Sequence, residues 1–323
     1  MSMNCIAITG GSGFIGQNLV AGLLGRGGCR VKLLSRAKGA ENSQHSAVET
    51  VEGDLLLPWS LSGFLEPGCT VINLAYLWGA GEAANLAAMG NLVAACKAAG
   101  AKRLIHVSTA AVVGRVNECL ITETTPCRPV SEYGVTKLNV ESLVRREGGD
   151  SFGLAILRPT SVFGPGGEPL GKLAGELKGG SRLRNYLKSC LFHRRRMNLV
   201  HIANVVEAII FLANHRGNFR GEVFIVSDDD SDANNFSDVE SALMSGLGVS
   251  DYRLPRVPVP LGVLRLLLSI LGRNNVNPRC NYSGEKLLRL GFRRLVSFES
   301  GLSDYISAYQ SARSSQAVPD ART

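Results

Sequence analysis

The chain has 323 residues, 45% hydrophobic and 19% charged, enough for one large domain or two closely packed ones around a sizeable core. No stretch reaches 18 uninterrupted apolar residues, which argues against a membrane-spanning helix. The net charge is +8, and seven positive charges lie between residues 178 and 196 with no Asp or Glu among them, which points to an anionic ligand at one place.

The N-terminus, M-S-M-N-C-I-A-I-T-G, enters an apolar strand at 5–9 without a basic leader or cleavage pattern. A signal peptide is therefore not expected, and the chain reads as cytoplasmic. None of the eight cysteines forms a CxxC pair, so reduced thiols are expected rather than a disulfide framework. The five histidines lack metal spacing, so no metal is expected.

After the first strand comes T-G-G-S-G-F-I-G, in which Gly11, Gly13 and Gly16 give G-x-G-x-x-G. A strand before it and a helix after it, with Ile15, Leu19 and Leu23 at i,i+4 spacing, make this the turn that cradles a dinucleotide pyrophosphate. Gly10, Gly13, Phe14, Ile15 and Gly16 are its candidate contacts. The second strand, 30–34, ends at Ser35-Arg36, where an NAD-preferring fold usually carries an acid. A hydroxyl and a guanidinium suit a 2′-phosphate, so NADP(H) is favoured and NAD(H) is the alternative; Arg36 as a plain solvated charge is the other reading.

The third strand, 48–52, leads to Gly53-Asp54-Leu55, where Asp54 either accepts from an adenine amino group or caps a turn, with Leu55 beside it. The fourth strand, 70–75, ends N-L-A-Y, and Leu74, Ala75 and Tyr76 are placed where a dinucleotide crosses the strand ends. A helix at 85–99 carries Leu86, Met89, Val93 and Cys96 on one side. The buried strand 104–107 ends in Ser108 and Thr109, and Tyr133 and Lys137 follow at i,i+4 spacing on one helical face. A strand-end hydroxyl, a phenol and an ammonium together make a proton-transfer site.

The strand 153–158 runs into R-P-T-S-V-F-G-P-G, a loop containing the cofactor candidates Pro159 and Val162. Strands and helices alternate throughout 1–165, so the fold class is α/β with a doubly wound parallel sheet. Residues 166–311 read as a smaller α/β substrate-binding region, with possible chain exchange between the two parts. Within it, N-L-V-H-I-A-N-V-V-E-A-I-I-F-L-A passes from strand to apolar helix, and 223–226 is a late strand. The run S-D-D-D-S-D at 227–232 reads as a solvated loop, and 257–272 as a packed helix with peripheral membrane contact as the alternative. Residues 312–323 read as a frayed tail.

In order, TGGSGFIG, GDL, the strand ending in Ser-Thr, YGVTK, RPTSVFGPG and LVHIANVVEAI resemble the extended short-chain dehydrogenase/reductase family, the NAD-dependent epimerase/dehydratase group. The resemblance covers residues 5 to about 309 and implies a Rossmann domain. It implies Thr109 as the catalytic hydroxyl, Tyr133 as acid/base and Lys137 as its partner, with Ser108, Tyr133 and Lys137 also near the nicotinamide ribose. An ammonium and a nicotinamide charge are expected to lower the phenol towards neutrality.

The family's sugar-nucleotide dehydratases carry Asp-Glu after the catalytic Thr, whereas this chain has Ala110-Ala111, which removes the acid/base pair for dehydration. Many of the family's epimerases hold the diphosphate with an Arg four residues before the VH histidine. Here that place is Met197, with Arg196 one step earlier. Arg196 and Arg182 are the substrate-diphosphate candidates.

The expected activity is NADP-dependent reduction of a UDP- or dTDP-linked 4-keto-6-deoxy sugar, as in surface-polysaccharide synthesis. The alternatives are a 4-epimerase with tightly bound NAD, a hydroxysteroid or dihydroflavonol-type reductase, and a non-catalytic NADP sensor. A nucleotide-sugar substrate is expected and nucleic acid is not, since no aromatic platform accompanies Arg194 to Arg196. The resemblance also implies a homodimer through the 85–99 and 133–147 helices.

Overall fold

The computed structural model describes residues 4–37, 46–270 and 277–316. The first half runs β1 (Asn4–Thr9), α1 (Phe14–Arg26), β2 (Cys29–Ser35), β3 (Val48–Glu52), β4 (Thr70–Asn73), α2 (Gly81–Ala99), β5 (Arg103–Val107), β6 (Leu120–Ile121), α3 (Glu132–Gly148) and β7 (Gly153–Pro159). There follow β8 (Ser161–Phe163), α4 (Glu168–Gly179), α5 (Arg182–Phe192), β9 (Leu199–His201), α6 (Ile202–Asn214) and β10 (Arg220–Val226). The chain ends with α7 (Phe236–Gly246), α8 (Leu261–Ile270), β11 (Asn281–Tyr282), α9 (Glu285–Arg289) and α10 (Phe298–Gln316).

Seven strands form one sheet in the order β10-β7-β5-β4-β1-β2-β3, and every pairing in it is parallel. Parallel neighbours require crossovers, and helices supply them on both faces. Alternation along a strand divides the core. Ile6 and Ile8 of β1 pack on the α1 and α6 side with Leu19, Leu23, Val205 and Ile209. Ala7, between them, faces the α2 and α3 side with Met89, Leu92, Val140 and Val144. The late strand therefore joins this main sheet, beside β7, and α6 covers it on the α1 face. A further cluster, built by α4, α7 and α10 around Leu170, Leu243 and Leu302, stands apart from the sheet. Two small pairs, β8 with β9 and β6 with β11, lie outside the main sheet.

Three expectations change. The acidic run is not a solvated loop throughout: Asp228 and Asp229 are 2% and 3% exposed. Their oxygens are taken by backbone N–H groups and by Asn198, Asn204 and Asn234, which local composition does not reveal. The apolar helix expected over 257–272 begins only at Leu261, after Pro258 and Pro260; positions 271 and 272 lie outside the described residues. Of the expected tail, 312–316 continues α10 as helix, and 317–323 lies outside the described residues.

Candidate active site

The end of β1 and the start of α1 form the glycine turn. Gly10 has φ +74°, and a Cβ there would sit 2.8 Å from the backbone of Leu74 and Ala75. A Cβ on Gly16 would meet the backbone of Gly10 and Gly11. The absence of side chains thus lets β1, α1 and the segment after β4 close together at the point where the strand order reverses. A cleft of about 500 Å³ opens there, lined by Gly10, Gly13, Ser35, Arg36, Asp54, Leu55, Leu74, Ala75 and Tyr76 among others. This glycine-floored groove suits an extended dinucleotide, with Arg36 exposed at its wall. Asp54 Oδ1 accepts from Leu56 N at 2.8 Å, and Ser35 Oγ accepts from Ala37 N at 3.2 Å, so each also caps its own turn. Phe14, Ile15 and Val162 do not line the cleft; they pack on the α1-side core, which holds the turn in place. Pro159 ends β7 and is buried.

Thr109, Tyr133 and Lys137 come together beyond the end of β5. Thr109 caps a short turn, its hydroxyl accepting from Ala111 N at 3.2 Å. Ser131 caps α3 by accepting from Gly134 N at 3.1 Å, and Gly134 lies close against the Ala111 carbonyl. A side chain at 134 would hold the helix away, so this approach is what brings Tyr133 to Thr109. Ser108 is buried; its N–H donates to Leu157 O at 2.8 Å, and its Oγ has no partner among the described atoms. Lys137 is buried, and Nζ donates to Val107 O at 3.1 Å. It shares a small inner pocket with Asn73, Tyr76 and His106.

Burial raises the Tyr133 phenol above its usual value; the hydrogen-bonded Thr109 hydroxyl opposes this and Tyr76 adds to it. Burial lowers Lys137 to about 8, with Glu141 acting in the opposite sense. Lys137 is not among the causes acting on Tyr133: its ammonium lies 5.4 Å over the Tyr76 ring, and Tyr76 meets Tyr133 edge-on at 5.0 Å. Sequence reading also missed Trp78. Its ring stacks on Tyr133 at 5.2 Å with an 11° interplanar angle, while remaining 75% exposed. Its only local sign is an aromatic residue two places after Tyr76.

On the far side of Thr109 lies a second cavity of about 510 Å³. Ala110, Ala111, Thr160, Arg195, Arg196 and Asn198 share its wall with Phe192, Phe236 and Tyr282. Arg196 donates to Ser231 O at 2.8 Å and to Asp232 at 3.1 Å. Thr160 Oγ1 is buried with no partner among the described atoms, a free polar contact for a ligand. Asn198, with φ +51°, bonds Asp229 at 2.6 Å. Arg182 lies elsewhere: its guanidinium donates to the Ser250 and Asp251 carbonyls and stacks on Tyr252, so it does not line this cavity. The basic run divides because α5 turns its N-terminal end away from the cavity that its C-terminal end borders. Residues such as Tyr282 arrive through the β6–β11 pairing, which no local pattern announces.

A doubly wound sheet with this glycine turn, and a phenol and a buried lysine one turn apart on α3, defines an NAD(P)-dependent enzyme of the extended short-chain dehydrogenase type. A model of the NAD dependent epimerase/dehydratase family matches residues 6–227, and the chain belongs to that family. It is 28% identical over 236 residues to a 4-hydroxy-2-methyl-3-oxo-4-farnesyl-3,4-dihydroquinoline-1-oxide ketoreductase of Stigmatella aurantiaca, covering 68% of this chain and 67% of that one. It is 30% identical over 185 residues to a UDP-glucose 4-epimerase of Azospirillum brasilense, covering 52% and 51%. The matches thus span between about half and two thirds of these relatives' own lengths. The fold is similar to that of the Thermus thermophilus UDP-glucose 4-epimerase in complex with NAD, with a TM-score of 0.70, 24% identity and coverage of 95% and 99%.

Proposed function

We propose that this chain is an NADPH-dependent reductase of a nucleotide-bound 4-keto-6-deoxy sugar. The observation that carries the reading is the end of β2, where Ser35 and the exposed Arg36 stand in place of an acid on the wall of the glycine-floored cleft and suit the 2′-phosphate of NADPH. Reduction of a ketone needs a proton donor at the nascent alkoxide, and burial, which raises the Tyr133 phenol, favours its protonated form. The glycine turn, Ser35, Arg36 and Tyr76 would hold the dinucleotide, and the nicotinamide supplies the hydride when bound. Thr109 orients the carbonyl oxygen and Tyr133 gives it a proton. Lys137, one helical turn on from Tyr133, carries positive charge at neutral pH and would bond the nicotinamide ribose hydroxyls. Arg195 and Arg196, on the wall of the second cavity, provide charge for a diphosphate. Ala110 and Ala111 line the same cavity and offer no acid or base for dehydration.

The test is direct. The purified chain is denatured and its released dinucleotide quantified; NADPH and NADH consumption are then followed with UDP- and dTDP-4-keto-6-deoxyhexoses. Little bound dinucleotide is expected, with one NADPH consumed per ketone and a preference over NADH. Tyr133→Phe is expected to keep NADPH affinity and lose about 10²-fold or more in turnover. Near-stoichiometric bound NAD, with sugar interconversion and no net NADPH loss, would make the protein an epimerase.

A further inference from the structure

The apolar contact of helix α8 with the rest of the protein is a narrow stripe. Leu264 and Leu268, one turn apart, are buried against Leu191 and Phe192 at the end of α5. Four further apolar side chains of the helix face outward, Val263, Leu266, Leu267 and Ile270 at 48%, 62%, 39% and 73% exposure. A helix that is apolar nearly all round is normally covered on all sides.

The exposed surface continues beyond the helix. The segment leading into α8 runs alongside α5 in the same direction: Arg182 bonds the Ser250 and Asp251 carbonyls, Tyr186 Oη donates to Pro255 O at 2.9 Å, and Val259 N donates to Cys190 O at 3.0 Å. Exposed Leu254 and Val257 on this segment therefore lie beside α5, which itself exposes Leu183 and Leu187. Large apolar patches on soluble proteins mark binding surfaces.

Within the segment 252–278 itself the charges have one sign. Residues 252–278 contain four arginines and no Asp or Glu. Arg256 is paired with Asp251 and Glu240, but Arg265 bonds the neutral Asn117 side chain, and both Arg253 and Arg265 are exposed. A second copy docking here about a twofold axis would bring these arginines towards their own copies, with no acid in 252–278 to meet them. An anionic bilayer accepts both features, aliphatic side chains below the headgroups and guanidinium groups among them.

We propose that α8 and the segment before it form an interfacial docking surface for anionic phospholipid bilayers. At ten residues the helix lies in the interface and does not cross it. Phe192, on which Leu264 and Leu268 rest, also lines the cavity beside Thr109, so docking brings that cavity's wall to the membrane surface. The surface is independent of the reaction assigned above, and its test needs no turnover.

The full chain is mixed with phosphatidylcholine vesicles, with and without phosphatidylglycerol, and sedimented. The wild-type chain is expected to go down with the anionic vesicles, to stay in solution with neutral ones, and to be released by high salt. The outward-facing double variant Leu266→Glu/Ile270→Glu and, separately, Arg253→Glu should each weaken vesicle binding by about tenfold or more, with NADPH titration and circular-dichroism melting unchanged. Should the double variant fail to fold, Arg253→Glu alone decides. Wild-type protein left in solution with anionic vesicles, or variants that bind them equally well, would overturn the proposal. So would a wild-type dimer that ignores vesicles and that Leu266→Glu/Ile270→Glu converts to monomer, since the patch would then be an interface between copies.

Discussion

Lys137 shows how a site residue is kept at the expense of the fold. Its ammonium is buried with one carbonyl partner and the Tyr76 ring, and burial lowers it from 10.5 to about 8. Between those two values the unfolded chain binds more protons than the folded one, so this residue's contribution to stability rises with pH across that window. Below pH 8 its destabilising effect is fully present, at most about 3 kcal/mol. Lys137→Met is therefore expected to unfold at higher denaturant than wild type at neutral pH. The advantage should shrink towards pH 10, and turnover should be lost. Urea melts at the two pH values check this, and a variant less stable than wild type at both would refute it. That Tyr133 and Lys137 lie one turn apart on the same helix was legible from their spacing. The Trp78 stack was not, because it depends on how the segment after β4 folds back over α3.

At the scale of elements, α3 must be anchored if Tyr133 is to hold its position. Glu141 on α3 accepts from Arg158 on β7 at 2.9 and 2.6 Å, with side chains 1% and 4% exposed. Breaking such a pair leaves a buried charge without compensation. Arg158→Met should cost about 3–5 kcal/mol in denaturant melts, and adding Glu141→Gln should recover part of that loss. Losses that simply add in the double variant would show that the two side chains act separately. On the sheet's other side, Arg103 of β5 donates to the carbonyls of Leu212, Ala213 and Gly217 and so ties the strand carrying Ser108 and Thr109 to α6. The apolar runs announced these strands and helices. The ion pairs that fix their relative positions involve residues far apart in sequence.

For the molecule as a whole, the buried acids after β10 join the sheet to the substrate cavity. Asp229 accepts from Asn198, Asn234 and Tyr282 N, and Asn198 and Tyr282 are cavity walls. Burial raises Asp229 to about 7, against the pull of those hydrogen bonds and Arg196. Asp228, held by His201 N, Asn204 and Arg294, is raised by burial to about 6. With a folded value above 3.8, the stability contributed by Asp229 is fully present below about pH 4 and is lost as pH rises through 7. Asp229→Asn carries no such titration. The difference in melting temperature, wild type minus variant, should therefore fall between pH 5 and 8. A difference that stays flat would mean the carboxyl is not perturbed as described.

By itself, the sequence determined the parallel sheet, the glycine turn and the candidate hydroxyl, phenol and lysine. Each of these depends on periodicity or on close spacing along the chain, where neighbours in sequence are neighbours in space. The tertiary structure decided what those patterns leave open. It buried two carboxylates of an acidic run that reads as solvated, because Asn198 and Asn204 from distant positions and Asn234 from the same loop satisfy them. It turned Arg182 away from the cavity beside which it left Arg195 and Arg196, because one helix carries its two ends to different neighbours. It set the Lys137 ammonium on the Val107 carbonyl and over the Tyr76 ring, because these groups line the inner pocket into which α3 buries that side chain.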